Sequence, residues 1–125
     1  MRVLVAEDTS VLRMIIVRTL RSLGIAEIIE VADGAAAWQE FQAASFDLVI
    51  TDWHMPRING IDLIKLIRAR DQEIPVLMVT VVDSRDDIVK ALSAGVTDYL
   101  CKPFERTELE AKVETYLPTL FGFDS

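Results

Sequence analysis

Five times along the chain a short run of β-branched and aliphatic residues gives way to a longer amphipathic stretch. The short runs are Val3–Ala6, Ile28–Val31, Leu48–Ile50, Val76–Val79 and Tyr99–Cys101. Near-continuous apolar runs of this length read as strands covered on both faces, the habit of parallel sheets. The longer stretches carry apolar residues at helical spacing: Leu12, Ile16, Leu20 and Leu23; Trp38 and Phe41; Leu63, Ile64 and Ile67; Ile88 and Leu92; Leu109, Val113, Tyr116 and Leu117. Gly24 is a natural stop for the first helix and Pro118 lies just beyond the last. Right-handed crossovers place helices on both faces of such a sheet, so the expected fold class is α/β, a doubly wound (βα)5 sandwich. With no linker, repeat or low-complexity tract, residues 1–125 read as one domain, and 118–125 as a short tail.

Composition narrows the function. Hydrophobic residues are 51% and charged residues 26% of the 125 positions, which excludes a disordered chain. A net charge of −7 argues against a nucleic-acid binder, which needs a basic face to gain from counterion release. The lone cysteine, Cys101, cannot close an internal disulfide and reads as a small buried hydrophobe in a reducing, cytoplasmic setting. No apolar run is as long as a membrane span. Arg13, Arg18 and Arg21 read as a solvated helix face, with docking to an acidic kinase surface as the alternative.

Ligands of doubly wound sheets bind beyond the carboxyl ends of the strands. There the chain carries Glu7-Asp8, Asp52, Thr80 and Lys102-Pro103. Three carboxylates at one sheet edge repel one another and persist near neutral pH only with a compensating cation. Carboxylates, waters and a phosphate suit Mg²⁺. Lys102 adds a fixed positive charge, and Thr80 a hydroxyl able to donate to an anionic oxygen. An ionised carboxylate such as Asp52 can itself attack phosphorus, giving an aspartyl phosphate without a general base. Taken alone, Glu7-Asp8 reads equally well as a helix N-cap.

In this order the motifs are Glu7-Asp8, Thr51-Asp52-Trp53-His54-Met55-Pro56, Asn59-Gly60, Thr80 and Tyr99-Leu100-Cys101-Lys102-Pro103-Phe104. From Val3 to Leu117 the chain resembles a response regulator receiver domain of bacterial two-component signalling, of the small CheY-like layout. The resemblance implies a flavodoxin-like sheet ordered 2-1-3-4-5, with Asp52 as phospho-acceptor. Mg²⁺ would be held by Glu7, Asp8, Asp52 and the backbone carbonyl of His54, and the phosphoryl oxygens by Thr80 and Lys102. The Lys102–Pro103 bond is expected to be cis, and Trp53 to sit on the rim, where its fluorescence reports metal binding. The implied donor is a histidine kinase or histidine phosphotransfer protein. The implied target is a downstream protein, a flagellar switch protein if the chemotaxis analogy holds, with no direct nucleic acid or membrane partner. The expected state is a monomer, with a phosphorylation-dependent dimer as the alternative.

Two other readings stand beside this one. A receiver cut from a larger regulator, with a DNA-binding or catalytic output elsewhere, has the same sequence. A Mg²⁺-dependent phosphatase with an aspartyl nucleophile is the reading from another class. In haloacid-dehalogenase-type enzymes a second Asp lies two residues after the first, and here that position is His54, a loop residue lining the site. The preferred expectation is a protein that catalyses only its own phosphotransfer and dephosphorylation. On periodicity Tyr99 is a strand aromatic of the core. The resemblance makes it a switch, moving inward as Thr80 closes on the phosphoryl group. It implies an altered surface of Arg85, Ile88, Tyr99, Phe104 and Lys112. Many receivers have Ala or Gly after this threonine. Val81, followed by Val82, is expected to narrow the approach to Asp52 and slow small donors and hydrolysis. The apolar tail Leu120-Phe121-Gly122-Phe123 is left open between packing on the domain, contacting a partner and being the stub of a longer protein.

Overall fold

The computed structural model describes residues 1–81 and 84–117. Its elements are β1 (Arg2–Ala6), α1 (Ser10–Ser22), β2 (Glu27–Val31), α2 (Gly34–Ala43), β3 (Leu48–Thr51), α3 (Gly60–Arg70), β4 (Val76–Thr80), α4 (Arg85–Ala94), β5 (Asp98–Cys101) and α5 (Arg106–Tyr116). The strands form one parallel sheet ordered β2-β1-β3-β4-β5, as expected. Val82 and the tail after Leu117, on which expectations were placed, lie outside the described residues.

Side-chain alternation along each strand divides the core in two. Val3, Val5, Ile50 and Val79 face α1 and α5, where Ile16, Leu20, Leu109 and Val113 cover them. Leu4, Ala6, Val49 and Met78 face the other way, against Leu63, Ile64 and Ile67 of α3 and Ala91 of α4. β3 and β4 are buried throughout, the condition that the apolar runs imply. The edge strands β2 and β5 are only partly covered, so Ile28 and Ile29 stay half-exposed. Cys101, on edge strand β5, is likewise half-buried rather than part of the core.

The helices end where their residues dictate. Gly24 takes φ +92° and gives its N–H to the Arg21 carbonyl, closing α1. Asn59 caps α3 by accepting from the Asp62 N–H at 2.9 Å. The expected Ile88–Leu92 stripe does not face inward: Leu92 of α4 is 54% exposed. The inward face of α4 carries Ala91 and Ala94 instead, with Ile88 half-buried. Small alanines seat the helix against the sheet and turn Leu92, a quarter-turn away, to solvent. Among the described residues no helix is long and apolar enough to cross a membrane.

Candidate functional site

The strand register assembles the site. Ala6 pairs with Thr51, and the ladder continues one step further through Asp52 N–H to the Ala6 carbonyl at 3.1 Å. Thr80 pairs with Cys101, and Lys102 N–H donates to the Thr80 carbonyl at 2.8 Å. Glu7 N–H reaches the Val31 carbonyl of β2 at 3.1 Å. Glu7, Asp52, Thr80 and Lys102 are thus fixed at, or one residue beyond, the last pair of their strands, while Asp8 lies one residue further out.

Glu7, Asp8 and Asp52 each present a carboxylate oxygen, and these atoms lie within 4.8 Å of one another. Glu7 and Asp52 are buried, whereas Asp8 faces solvent. Lys102 Nζ bridges the two buried acids, 2.9 Å from Glu7 Oε1 and 2.7 Å from Asp52 Oδ2. The other Glu7 oxygen accepts from Thr9 N–H at 3.0 Å, and Asp52 Oδ1 from Trp53 N–H at 2.6 Å. Burial pushes the Glu7 carboxyl above its ordinary value; Asp52 adds to the rise, which Thr9 N–H and Lys102 only partly offset. Burial pulls the Lys102 ammonium down, but its bonds to Asp52 and Glu7 outweigh that and leave it raised. Three hard oxygen donors with one side open to solvent fit a small divalent cation better than a thiolate-seeking one.

Thr80 is fully buried at the end of β4, and the Lys102–Pro103 bond is cis. Trp53, next to Asp52, is half-buried and stacks on the exposed His54 ring, with centroids 6.0 Å apart. The cap of α1 is Thr9, which removes Glu7-Asp8 from that role. Tyr99 packs against the α3–α4 half of the core with its hydroxyl shielded from solvent. Phe104 packs on the opposite, α1–α5 half. The five residues expected to form the altered surface come from α4, β5, the turn after β5 and α5. Arg85 and Ile88 begin α4, Lys112 pairs with Asp98 at 2.9 Å across β5 and α5, and Phe104 belongs to a cleft beside the site. That cleft, 420 Å³, is lined by Leu12, Ile15, Val81, Lys102, Pro103 and Phe104.

Two supports were not visible as such in the sequence. Gly60 lets α3 begin against the Asp52 loop; a Cβ there would fall 2.0 Å from the Asp52 carbonyl oxygen. Arg13, read as part of a solvated face, is half-buried and donates to the Glu7 carbonyl at 2.7 Å. Its spacing of six residues from Glu7 was the only signal, and it is a weak one.

Sheet order, carboxylate cluster and bridging lysine define a class, and residues 3–114 match the family model described as response regulator receiver domain. The chain belongs to that family. Within it, the chain is closely related to the CheY chemotaxis regulators. It is 42% identical over 122 residues to the chemotaxis protein CheY1 of Helicobacter pylori, covering 95% of this chain and 98% of that one. It is also 42% identical over 124 residues to the chemotaxis protein CheY of Pseudomonas aeruginosa, covering 98% and 100%. Among solved structures, the receiver domain of a Pseudomonas aeruginosa sensor histidine kinase has a magnesium ion coordinated in its active-site cleft. It superposes with a TM-score of 0.85 at 31% identity, over 94% of this chain and 97% of that one.

Proposed function

We propose that the chain is a phospho-accepting response regulator whose acceptor is Asp52, and that its phosphorylation controls a partner-binding face. The observation that carries this reading is the Asp52 carboxylate, buried yet bonded to Lys102 at 2.7 Å and within 4.8 Å of the Glu7 and Asp8 oxygens. A buried carboxylate bonded to an ammonium is a nucleophile already stripped of most of its water. The donor is a histidine kinase or histidine phosphotransfer protein. An Asp52 oxygen forms the new bond to phosphorus as the phosphorus–nitrogen bond of the phosphohistidine breaks, and the departing imidazole takes up a proton.

Glu7, Asp8, Asp52 and the His54 backbone carbonyl are the groups that would hold Mg²⁺. Bound there, it would supply neutralisation of charge on the phosphoryl oxygens. Lys102 takes a second share of that charge, and the Thr80 hydroxyl donates to a third oxygen. The cleft of Leu12, Ile15, Val81 and Phe104 gives a donor protein apolar surface beside Lys102. Output follows from Thr80 closing on the phosphoryl group and Tyr99 adjusting beside it, which alters the surface around Arg85, Ile88 and Lys112. The relatedness to chemotaxis proteins supports a flagellar switch protein as the target. The chain acts as a cytoplasmic monomeric domain, catalysing only its own phosphotransfer and dephosphorylation.

The test is incubation with acetyl phosphate and MgCl₂, followed by intact mass. One added phosphoryl group, absent in Asp52→Asn, and no turnover of small phosphate esters are expected. Sustained ester hydrolysis would favour a phosphatase instead.

A further inference from the structure

Arg13 is anchored at both ends of its guanidinium. One Nη1–H donates to the main-chain carbonyl of Glu7 at 2.7 Å, and Nε lies 3.6 Å from Glu30 Oε1 at β2. Only 21% of the side chain is exposed, so this is a packed clamp and not a solvated charge. The fork of a guanidinium can hold two acceptors at once, which a lysine ammonium on its flexible stem does less well. The carbonyl it grips matters because the Glu7 C=O and the Asp8 N–H belong to one planar peptide unit. Fixing that oxygen fixes the plane from which Asp8 hangs. Glu7 and Asp52 are steered by Lys102, but among the described residues no hydrogen bond or ion pair holds the Asp8 side chain.

We infer that Arg13 is a positioning residue for the divalent-ion site, setting the Asp8 carboxylate by clamping the Glu7 carbonyl against Glu30 of β2. This rests on the reading of Glu7, Asp8 and Asp52 as the Mg²⁺ site. The sign of the effect distinguishes positioning from charge. Removing a positive charge near three carboxylates should tighten cation binding; releasing the clamp should weaken it. Mg²⁺ demands near-ideal octahedral geometry, whereas Ca²⁺ tolerates a looser shell, so a freed Asp8 should harm Mg²⁺ more.

Calorimetric titration of the whole chain with MgCl₂ and with CaCl₂ tests this in wild type, Arg13→Gln and Arg13→Met. Thermal melts of the same samples verify the fold, and Arg13→Met, a good helix former of similar length, serves if the glutamine variant does not fold. The expected result is a Mg²⁺ Kd raised about tenfold, the usual scale for loss of a ligand-orienting partner. The preference for Mg²⁺ over Ca²⁺ should fall with it. A folded variant with unchanged or tighter Mg²⁺ binding overturns the assignment. Wild type that takes up no Mg²⁺ overturns the metal reading beneath it, and the wild-type titration reads that outcome separately.

Discussion

Lys102 and Asp52 meet at 2.7 Å across the end of β4, the ammonium of one edge strand reaching the acid that follows the central strand β3. The same ammonium takes Glu7 Oε1 at 2.9 Å, so one cation holds together two acids buried in the sheet edge. Deleting one partner of such a cluster strands the others' charge in a poorly solvated place. Lys102→Met should therefore cost about 3 kcal/mol of stability without Mg²⁺. Added MgCl₂ should stabilise the variant more than wild type, because the ion takes over the neutralising role. Thermal melts with and without the salt give both quantities.

The two glycines Gly60 and Gly24 should respond very differently to alanine. At Gly60 the new Cβ would meet the Asp52 carbonyl oxygen at 2.0 Å and force the α3 start away from the acceptor loop. At Gly24 nothing lies within 4 Å, and only the left-handed backbone, φ +92°, resists. Urea unfolding should show a loss of about 1 kcal/mol for Gly24→Ala. For Gly60→Ala the loss should be about 3 kcal/mol or more, the range of a steric conflict that the core cannot absorb.

Asp98 ties β5 to α5, accepting from Lys112 Nζ at 2.9 Å and from the Tyr116 hydroxyl at 2.6 Å. Burial alone would raise its pKa, but the Tyr116, Lys112 and Tyr99 N–H hydrogen bonds outweigh it and hold the carboxyl below the usual range. Because the folded value is depressed, this contribution is present above the ordinary carboxylate pKa and is lost as pH falls through the folded one. Tyr116 is pushed up to about 12, first by its bond to Asp98. That contribution is complete below the ordinary phenol value and disappears as pH rises through about 12. Spectrophotometric titration of the two tyrosines should show the late phenol moving back toward 10 in Asp98→Asn. The variant should lose about 1–2 kcal/mol near neutral pH and show a flatter acid limb.

Val81 is 64% exposed and lines the cleft that opens beside Lys102. Trimming it should admit water and small donors more easily. Val81→Ala is expected to lose its phosphoryl group roughly threefold faster, a barrier change of less than 1 kcal/mol. Unchanged decay, followed by phosphate release, would remove the steric argument.

The sheet was legible because parallel strands covered by helices must be largely apolar, as Val3–Ala6, Leu48–Ile50 and Val76–Val79 are. It was least legible at the edges: Ile28 and Cys101 look like core residues but sit in strands with one open side. The α4 stripe misled for a different reason. Leu92 carries a strong hydrophobic signal and Ala91 a weak one, yet close seating of the helix favours the smaller residue inward. At the site, Glu7, Asp8, Asp52 and Lys102 could be expected to converge because the doubly wound topology brings the strand ends to one edge. Arg13 could not, since its role depends on a main-chain carbonyl that no side-chain pattern encodes. The separation of Tyr99 from Phe104 onto opposite core halves likewise follows from strand alternation and the turn after β5, and not from their closeness in sequence.

The central claim is that one divalent ion shared by Glu7, Asp8 and Asp52 makes Asp52 reactive. It is tested most directly by mapping the modified residue after acetyl phosphate treatment, once with MgCl₂ and once with the metal chelated. A single phosphoryl group on Asp52, formed only when Mg²⁺ is present, is the expected result. Equal modification with the metal removed, or modification at another residue, would contradict it.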